Sequence, residues 1–177
     1  LTVSSAASDV YKRQGKHESL DVRSLCLIRE TLARYDALAD FSFAMQGLGS
    51  GAISLYGNSE QKQNILEEVS AGRMIAGFAL SEPNAGSDVA AMNSKALSTT
   101  EGWKVNGEKS WISNGGIADY YTFFAKTSDQ TGSGGISAFL LEADNPGLSI
   151  AERQEVMAPH PLARLQLRDA QLSHQAL

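Results

Sequence analysis

The chain has 177 residues, 42% hydrophobic and 20% charged, a globular composition long enough for one large domain or two small ones. Fifteen basic against twenty acidic residues give a net charge of −5, which argues against a pervasive basic field for nucleic acid, and no apolar run reaches the roughly 18 residues of a membrane helix. A single cysteine, Cys26, excludes an internal disulfide, and His17, His160 and His174 lie far apart with no CxxC beside them, so a structural zinc site is not signalled.

Leu1 to Gln14 (LTVSSAASDVYKRQ) has neither the basic start nor the apolar stretch of a signal peptide. Ser4 to Gln14 is similar to the in-frame translation of a transposase adaptor used in sequencing libraries, so residues 1–14 are expected to be disordered and outside the fold. The C-terminal LSHQAL carries no Gly or Pro closure, and the whole reads as an internal fragment of a longer protein. Leu20 to Gly57 has helical periodicity, with Leu25, Ile28, Leu32, Tyr35, Leu38 and Phe41 on one stripe. A break or close packing is expected at Gly47, Gly49 and Gly51, with a further short helix over Ala52 to Tyr56. Ser59 to Ala71 predicts a helix capped by Asn58 or Ser59, burying Ile65, Leu66 and Val69 and ending at Gly72.

The pattern changes at Arg73. Met74 to Leu80, Ser94 to Thr99, Tyr120 to Lys126, Ile136 to Glu142 and the short Leu165 to Leu167 read as strands. Trp103 to Val105 and Lys109 to Ile112 flank Asn106-Gly107, a hairpin signal, while Asn114-Gly115-Gly116 and Asn145-Pro146-Gly147 read as turns. The domain reading is therefore 1–14 foreign, 15–73 helical and 74–177 β, an α+β chain by segregation.

Two segments could carry chemistry. Phe78 to Asp88 (FALSEPNAGSD) is a strand ending in a turn where Gly86 allows close approach and Ser81 and Ser87 offer hydroxyls to phosphate oxygens; on spacing alone a plain tight turn, with Ser87 or Asp88 satisfying local amides, is the first reading. It is neither a Walker loop nor a GxGxxG fingerprint. In Trp111 to Gly116 (WISNGG), a tryptophan at a strand end can stack on a flat ring and Ser113 can donate to a heteroatom, against the alternative of a half-buried hairpin tryptophan. Trp103 reads as packing and Cys26 as a core filler. Glu82, Asp88 and Glu108 read as caps or solvated groups, and His160 as part of a rigid loop between two prolines.

Together, FALSEPNAGSDVAAM, WKVNGEKSWISNGGIAD and GISAFLLEADNPGL closely resemble the acyl-CoA dehydrogenase family over roughly Leu20 to Leu172. Leu80 to Asp88 matches its [LV]TEPxxGSD turn, with Ser81 in place of the usual threonine, and Asn106 to Gly115 matches NGxKxWI[ST]NG. The resemblance implies the end of an N-terminal helical domain followed by an antiparallel, barrel-like middle β domain. A C-terminal helical domain, absent here, would hold the catalytic glutamate, so no residue of this chain is assigned as the base. It implies FAD as cofactor, bound by Phe78, Leu80, Ser81, Gly86, Ser87, Trp111, Ile112 and Ser113, with Ser87 also touching the CoA substrate.

The implied reaction is oxidation of the Cα–Cβ bond of an acyl-CoA to the trans-2-enoyl-CoA, with hydride transfer to flavin N5. The implied partners are an acyl-CoA, an electron-transfer flavoprotein and further copies of the chain in a tetramer or dimer. The implied location is the bacterial cytoplasm, or the mitochondrial matrix in a eukaryote. The alternatives are an acyl-CoA oxidase or flavin monooxygenase on the same fold, or a non-catalytic module that binds acyl-CoA or a partner protein.

Overall fold

The computed structural model describes residues 21–157 and 160–176; the adaptor-like segment lies outside them. The chain divides between Ala76 and Gly77 into a helical and a β unit. The division falls after the expected boundary because the Gln46 carboxamide donates to the Met74 carbonyl (2.9 Å) and accepts from the Ala76 amide (2.7 Å), tying 74–76 to the helices.

The helical unit contains α1 (Val22–Tyr35), α2 (Ala37–Tyr56) and α3 (Ser59–Ser70). The helical stretch breaks at Asp36, whose extended backbone ends α1 and whose carboxylate accepts from the Leu38 and Ala39 amides to start α2. Arg29 and Asp40 bridge α1 and α2 through two hydrogen bonds of 2.9 and 2.8 Å. Helix α2 runs on through Gly47, Gly49 and Gly51 to Tyr56, and Gly47 and Gly49 are buried, so these residues serve close packing rather than a break. A capping box between Asn58 and Gln61 starts α3, which buries Ile65, Leu66 and Val69 as its stripe predicts. Cys26 is exposed, not a core filler: it lies one position off the half-buried Leu25, Ile28 and Leu32 stripe, about 100° around the helix.

The β unit is a seven-stranded curled sheet of β1 (Ala76–Ala79), β2 (Lys95–Ser98), β3 (Trp103–Ser113), β4 (Tyr120–Lys126), β5 (Ile136–Glu142), β6 (Leu148–Gln154) and β7 (Leu162–Leu172). Its order is β1-β4-β2-β3-β7-β6, with β5 on β4. The α+β expectation holds, but the sheet is mixed rather than purely antiparallel, because β2 and β4 meet in parallel at Lys95 and Lys126. Alternation buries Tyr121, Phe123 and Ala125 of β4 and Ala163, Leu165 and Leu167 of β7 in one core with Ala79, Ile112, Phe139 and Leu141. Trp103 packs edge-on against Phe139.

Asn106-Gly107 is not a hairpin. β3 passes straight through it, and the actual β2–β3 turn is Thr99 to Gly102, where the Thr99 amide donates to the Gly102 carbonyl (2.8 Å). Asn106 instead faces a bulge in β7: its side chain donates to the Asp169 carboxylate (3.0 Å) and accepts from the Asp169 amide (2.9 Å), holding Asp169 at φ 47°. Gly107 is bare because a Cβ there would lie 2.2 Å from Ser94 Oγ. β6 had no periodic signal, as five of its seven residues are exposed, and β7 is far longer than Leu165 to Leu167.

Candidate functional site

The two motif segments are adjacent in space. The Ser110 amide donates to the Ser81 carbonyl (2.9 Å), so the end of β1 meets β3 immediately before Trp111. Lys109 Nζ donates to the Leu80 carbonyl (3.0 Å) and to Glu82 Oε1 (2.8 Å). The Glu82 carboxylate also accepts from the Asn93 (2.6 Å) and Ser94 (3.0 Å) amides, closing residues 82–94 into a loop. Within it, the Glu82 and Ala85 amides donate to each other's carbonyls, which turns the chain at Pro83-Asn84 and leaves Gly86, Ser87 and Asp88 exposed.

Glu82 and Lys109 are an almost fully buried ion pair, with side chains 5% and 0% exposed, and the ammonium lies 5.0 Å from the Phe123 ring centre. Burial pushes the Glu82 carboxyl up, but the Asn93 amide, the Lys109 ammonium and the Ser94 amide outweigh it and hold the group below the usual carboxylate range. Burial pushes the Lys109 ammonium down against the pull of Glu82. The three donors on the carboxylate fix the pair as ionised. Glu82 is thus not the cap or solvated carboxylate that its place in a turn suggests, and Lys109, expected only as part of a strand, is its buried partner. Their signal was position: each stands inside one of the two motifs, and nothing local shows that they meet.

Trp111 is 58% exposed and lies outside the core, with its backbone at φ 61°. A bulky residue in the left-handed region is a rare conformation, and such strain concentrates at functional sites. β3 bulges here: Lys109 and Ile112 pair with Leu165 and Ala163, so β3 has one residue more than β7. The Trp111 amide donates to Gln154 Oε1 (2.8 Å), a residue sequence reasoning also missed.

The remaining expected residues divide. Phe78 and Leu80 are half-buried and share a face by alternation, with Phe78 edge-on to Phe124 at 5.0 Å. Ser81 and Ser113 are half-buried and Ser87 is exposed; the hydrogen bonds of this region run through backbone groups and through Glu82, Lys109 and Gln154, not through these three hydroxyls. A Cβ on Gly86 would meet no atom within 4 Å, and its φ is not positive, so the fold itself does not require glycine there. Ile112 is 1% exposed in the sheet core, because the bulge turns it inward, and its carbonyl already accepts from the Gly115 amide (3.0 Å). Glu108 pairs with Arg164 (3.3 Å), as a surface carboxylate would.

A helical unit thus precedes a curled sheet that brings these two motifs together. The model for the acyl-CoA dehydrogenase middle domain matches residues 77–170, and that for the N-terminal domain matches 10–73, starting inside the adaptor-like segment. A probable acyl-CoA dehydrogenase of Mycobacterium leprae is 38% identical over 138 residues, 78% of this chain and 36% of that protein. The short-chain-specific acyl-CoA dehydrogenase of Megasphaera elsdenii is 36% identical over 149 residues, 83% of this chain and 39% of that protein. The butyryl-CoA dehydrogenase structure from Megasphaera elsdenii superposes with a TM-score of 0.86 at 30% identity, covering 98% of this chain and 48% of that one. A glutaryl-CoA dehydrogenase in complex with glutaryl-CoA gives 0.79 at 32% identity, covering 84% and 38%. The chain belongs to the acyl-CoA dehydrogenase family. It spans little more than a third of the length of the curated relatives it matches.

Proposed function

We propose that this chain is the flavin-binding portion of an FAD-dependent acyl-CoA dehydrogenase. The observation that carries the reading is the pairing of the two motifs: the Glu82–Lys109 bridge and the Ser110–Ser81 hydrogen bond set an outward, strained Trp111 beside a loop with an unobstructed Gly86. These features fit a flavin. The Trp111 indole offers a flat apolar face, Ser81 and Ser113 offer hydroxyls to ring heteroatoms, and Phe78 and Leu80 add an apolar wall. Gly86 and Ser87 suit the ribityl-pyrophosphate side, where backbone approach and a hydroxyl are needed, and Ser87 is exposed enough to reach the substrate as well.

When bound, FAD supplies the acceptor for the hydride leaving Cβ of the acyl thioester. The residues of this chain bind and orient; none is assigned as the base that takes the Cα proton. An electron-transfer flavoprotein is the proposed acceptor, a dimer or tetramer the proposed assembly, and the bacterial cytoplasm the proposed location, in keeping with the bacterial relatives; among the described residues no helix is long and apolar enough to cross a membrane. The test is anaerobic addition of a short-chain acyl-CoA to the whole FAD-loaded protein. Bleaching of the flavin band, reversed by electron-transfer flavoprotein faster than by air, is the expected result. Bleaching reversed rapidly by air would indicate an oxidase or monooxygenase, and no flavin binding would leave a non-catalytic module.

A further inference from the structure

We propose that Gln154, at the end of β6, is a positioning residue for the flavin: it holds the bulge from which Trp111 projects. This rests on the reading of Trp111 as a flavin-covering side chain. The bulge leaves two residues, Ser110 and Trp111, where β7 offers one between Leu165 and Ala163. The Trp111 amide therefore has no ladder partner of its own, and its backbone sits at φ 61°, a conformation the surroundings must impose on a tryptophan. Gln154 pairs with Leu162 of β7, which pairs in turn with Ser113 of β3, so its side chain crosses β7 to reach the bulge. Its Oε1 accepts from the Trp111 amide (2.8 Å) and its Nε2 donates to Ser110 Oγ (3.3 Å).

A carboxamide suits this place because one group supplies both an acceptor and a donor, and the amide of Trp111 can only donate, which fixes the side chain's orientation. Ser110 is itself the residue whose amide holds Ser81, so one side chain 43 positions away grips the point where the two motifs join. The indole is 58% exposed and is not among the buried residues of the sheet core. Its direction is thus set from its backbone, and that backbone is set by Gln154.

The test uses the whole protein carrying 5-fluorotryptophan, with the Trp111 resonance assigned by its loss in Trp111→Phe. Gln154→Leu, close in shape but unable to hydrogen-bond, should shift or broaden the Trp111 resonance before any flavin is added and raise the dissociation constant for FAD about ten-fold, while the thermal midpoint stays within a few degrees. Gln154→Glu keeps the acceptor for the Trp111 amide and should bind FAD within about three-fold of the parent. In a Trp111→Gly background, where there is no indole to aim, Gln154→Leu should cause no further loss, the pattern of coupled residues in a double-mutant cycle. Equal losses with and without the indole, or an unchanged resonance and affinity in Gln154→Leu, would overturn the proposal. Should Gln154→Leu fail to fold, the comparison of Gln154→Glu with Gln154→Met, read on the same resonance, decides in the same way. A Trp111 resonance that ignores FAD in the parent protein would overturn the flavin reading itself, and this proposal with it.

Discussion

Gly86 is a residue whose own fold gives it nothing to do. A Cβ there meets no atom within 4 Å, and the backbone does not sit in the left-handed region. A side chain should therefore cost the folded protein little, and any requirement for glycine must come from a ligand. Gly86→Val is predicted to leave the thermal midpoint of the apoprotein unchanged within a few degrees while raising the FAD dissociation constant more than ten-fold, measured by titration of apoprotein. Ser87→Ala removes one hydroxyl; a hydrogen bond to a charged oxygen contributes about 1.5–3 kcal/mol, so about a ten-fold or greater loss of FAD affinity is expected, since 1.4 kcal/mol is a factor of ten. If both variants hold FAD as tightly as the parent, the loop is only a turn. Ile112 shows where the motif alone misleads at this scale: it stands beside Trp111 in sequence, yet strand alternation puts the two on opposite faces and the bulge decides which meets the core, leaving one 1% and the other 58% exposed.

Between elements, the strongest link is the Glu82–Lys109 bridge from the β1 loop to β3. Removing one partner strands the other in the interior, which costs about 3–5 kcal/mol for buried pairs. Glu82→Gln and Lys109→Met should each show a loss of that order by chemical denaturation, and the double variant should lose less than the sum. The pH dependence has a definite sign. The folded Glu82 carboxyl lies below its ordinary value of 4.5, so its stabilisation is fully present above that pH and is lost as pH falls through the folded value. The thermal midpoint of the parent should drop on acidification below pH 4.5, and Glu82→Gln should flatten that drop; parallel curves for both proteins would remove Glu82 from the account. Gly107→Ala should destabilise by about 1–3 kcal/mol, because the new methyl must displace the Ser94 backbone as well as its hydroxyl, with Cα at 2.8 Å; denaturation unchanged from the parent would show that the two strands separate freely there.

At the scale of the whole molecule, the sequence made some features legible and hid others for physical reasons. Strand β4 was readable end to end because a strand buried on both faces at its start reads as one aromatic-rich run, β5 because turn residues bound its apolar run, and α3 because its cap, stripe and Gly72 agree. Strand β6 was not, since a largely exposed strand needs no apolar pattern. Asn106-Gly107 was misread because the same pair that closes a hairpin also suits a bulge, and only its partner Asp169, distant in sequence, decides which. The site was legible as two motifs; the Glu82–Lys109 and Gln154–Trp111 links that assemble it are long-range pairings with no local signature. The central claim is that this assembled surface is a flavin site with Trp111 on it. The most direct measurement is the 19F resonance of 5-fluorotryptophan at position 111, followed as FAD is added to the whole apoprotein. The account predicts that this resonance shifts and loses its sensitivity to solvent deuterium, saturating at one FAD per chain. A Trp111 resonance unchanged at full FAD occupancy would contradict it.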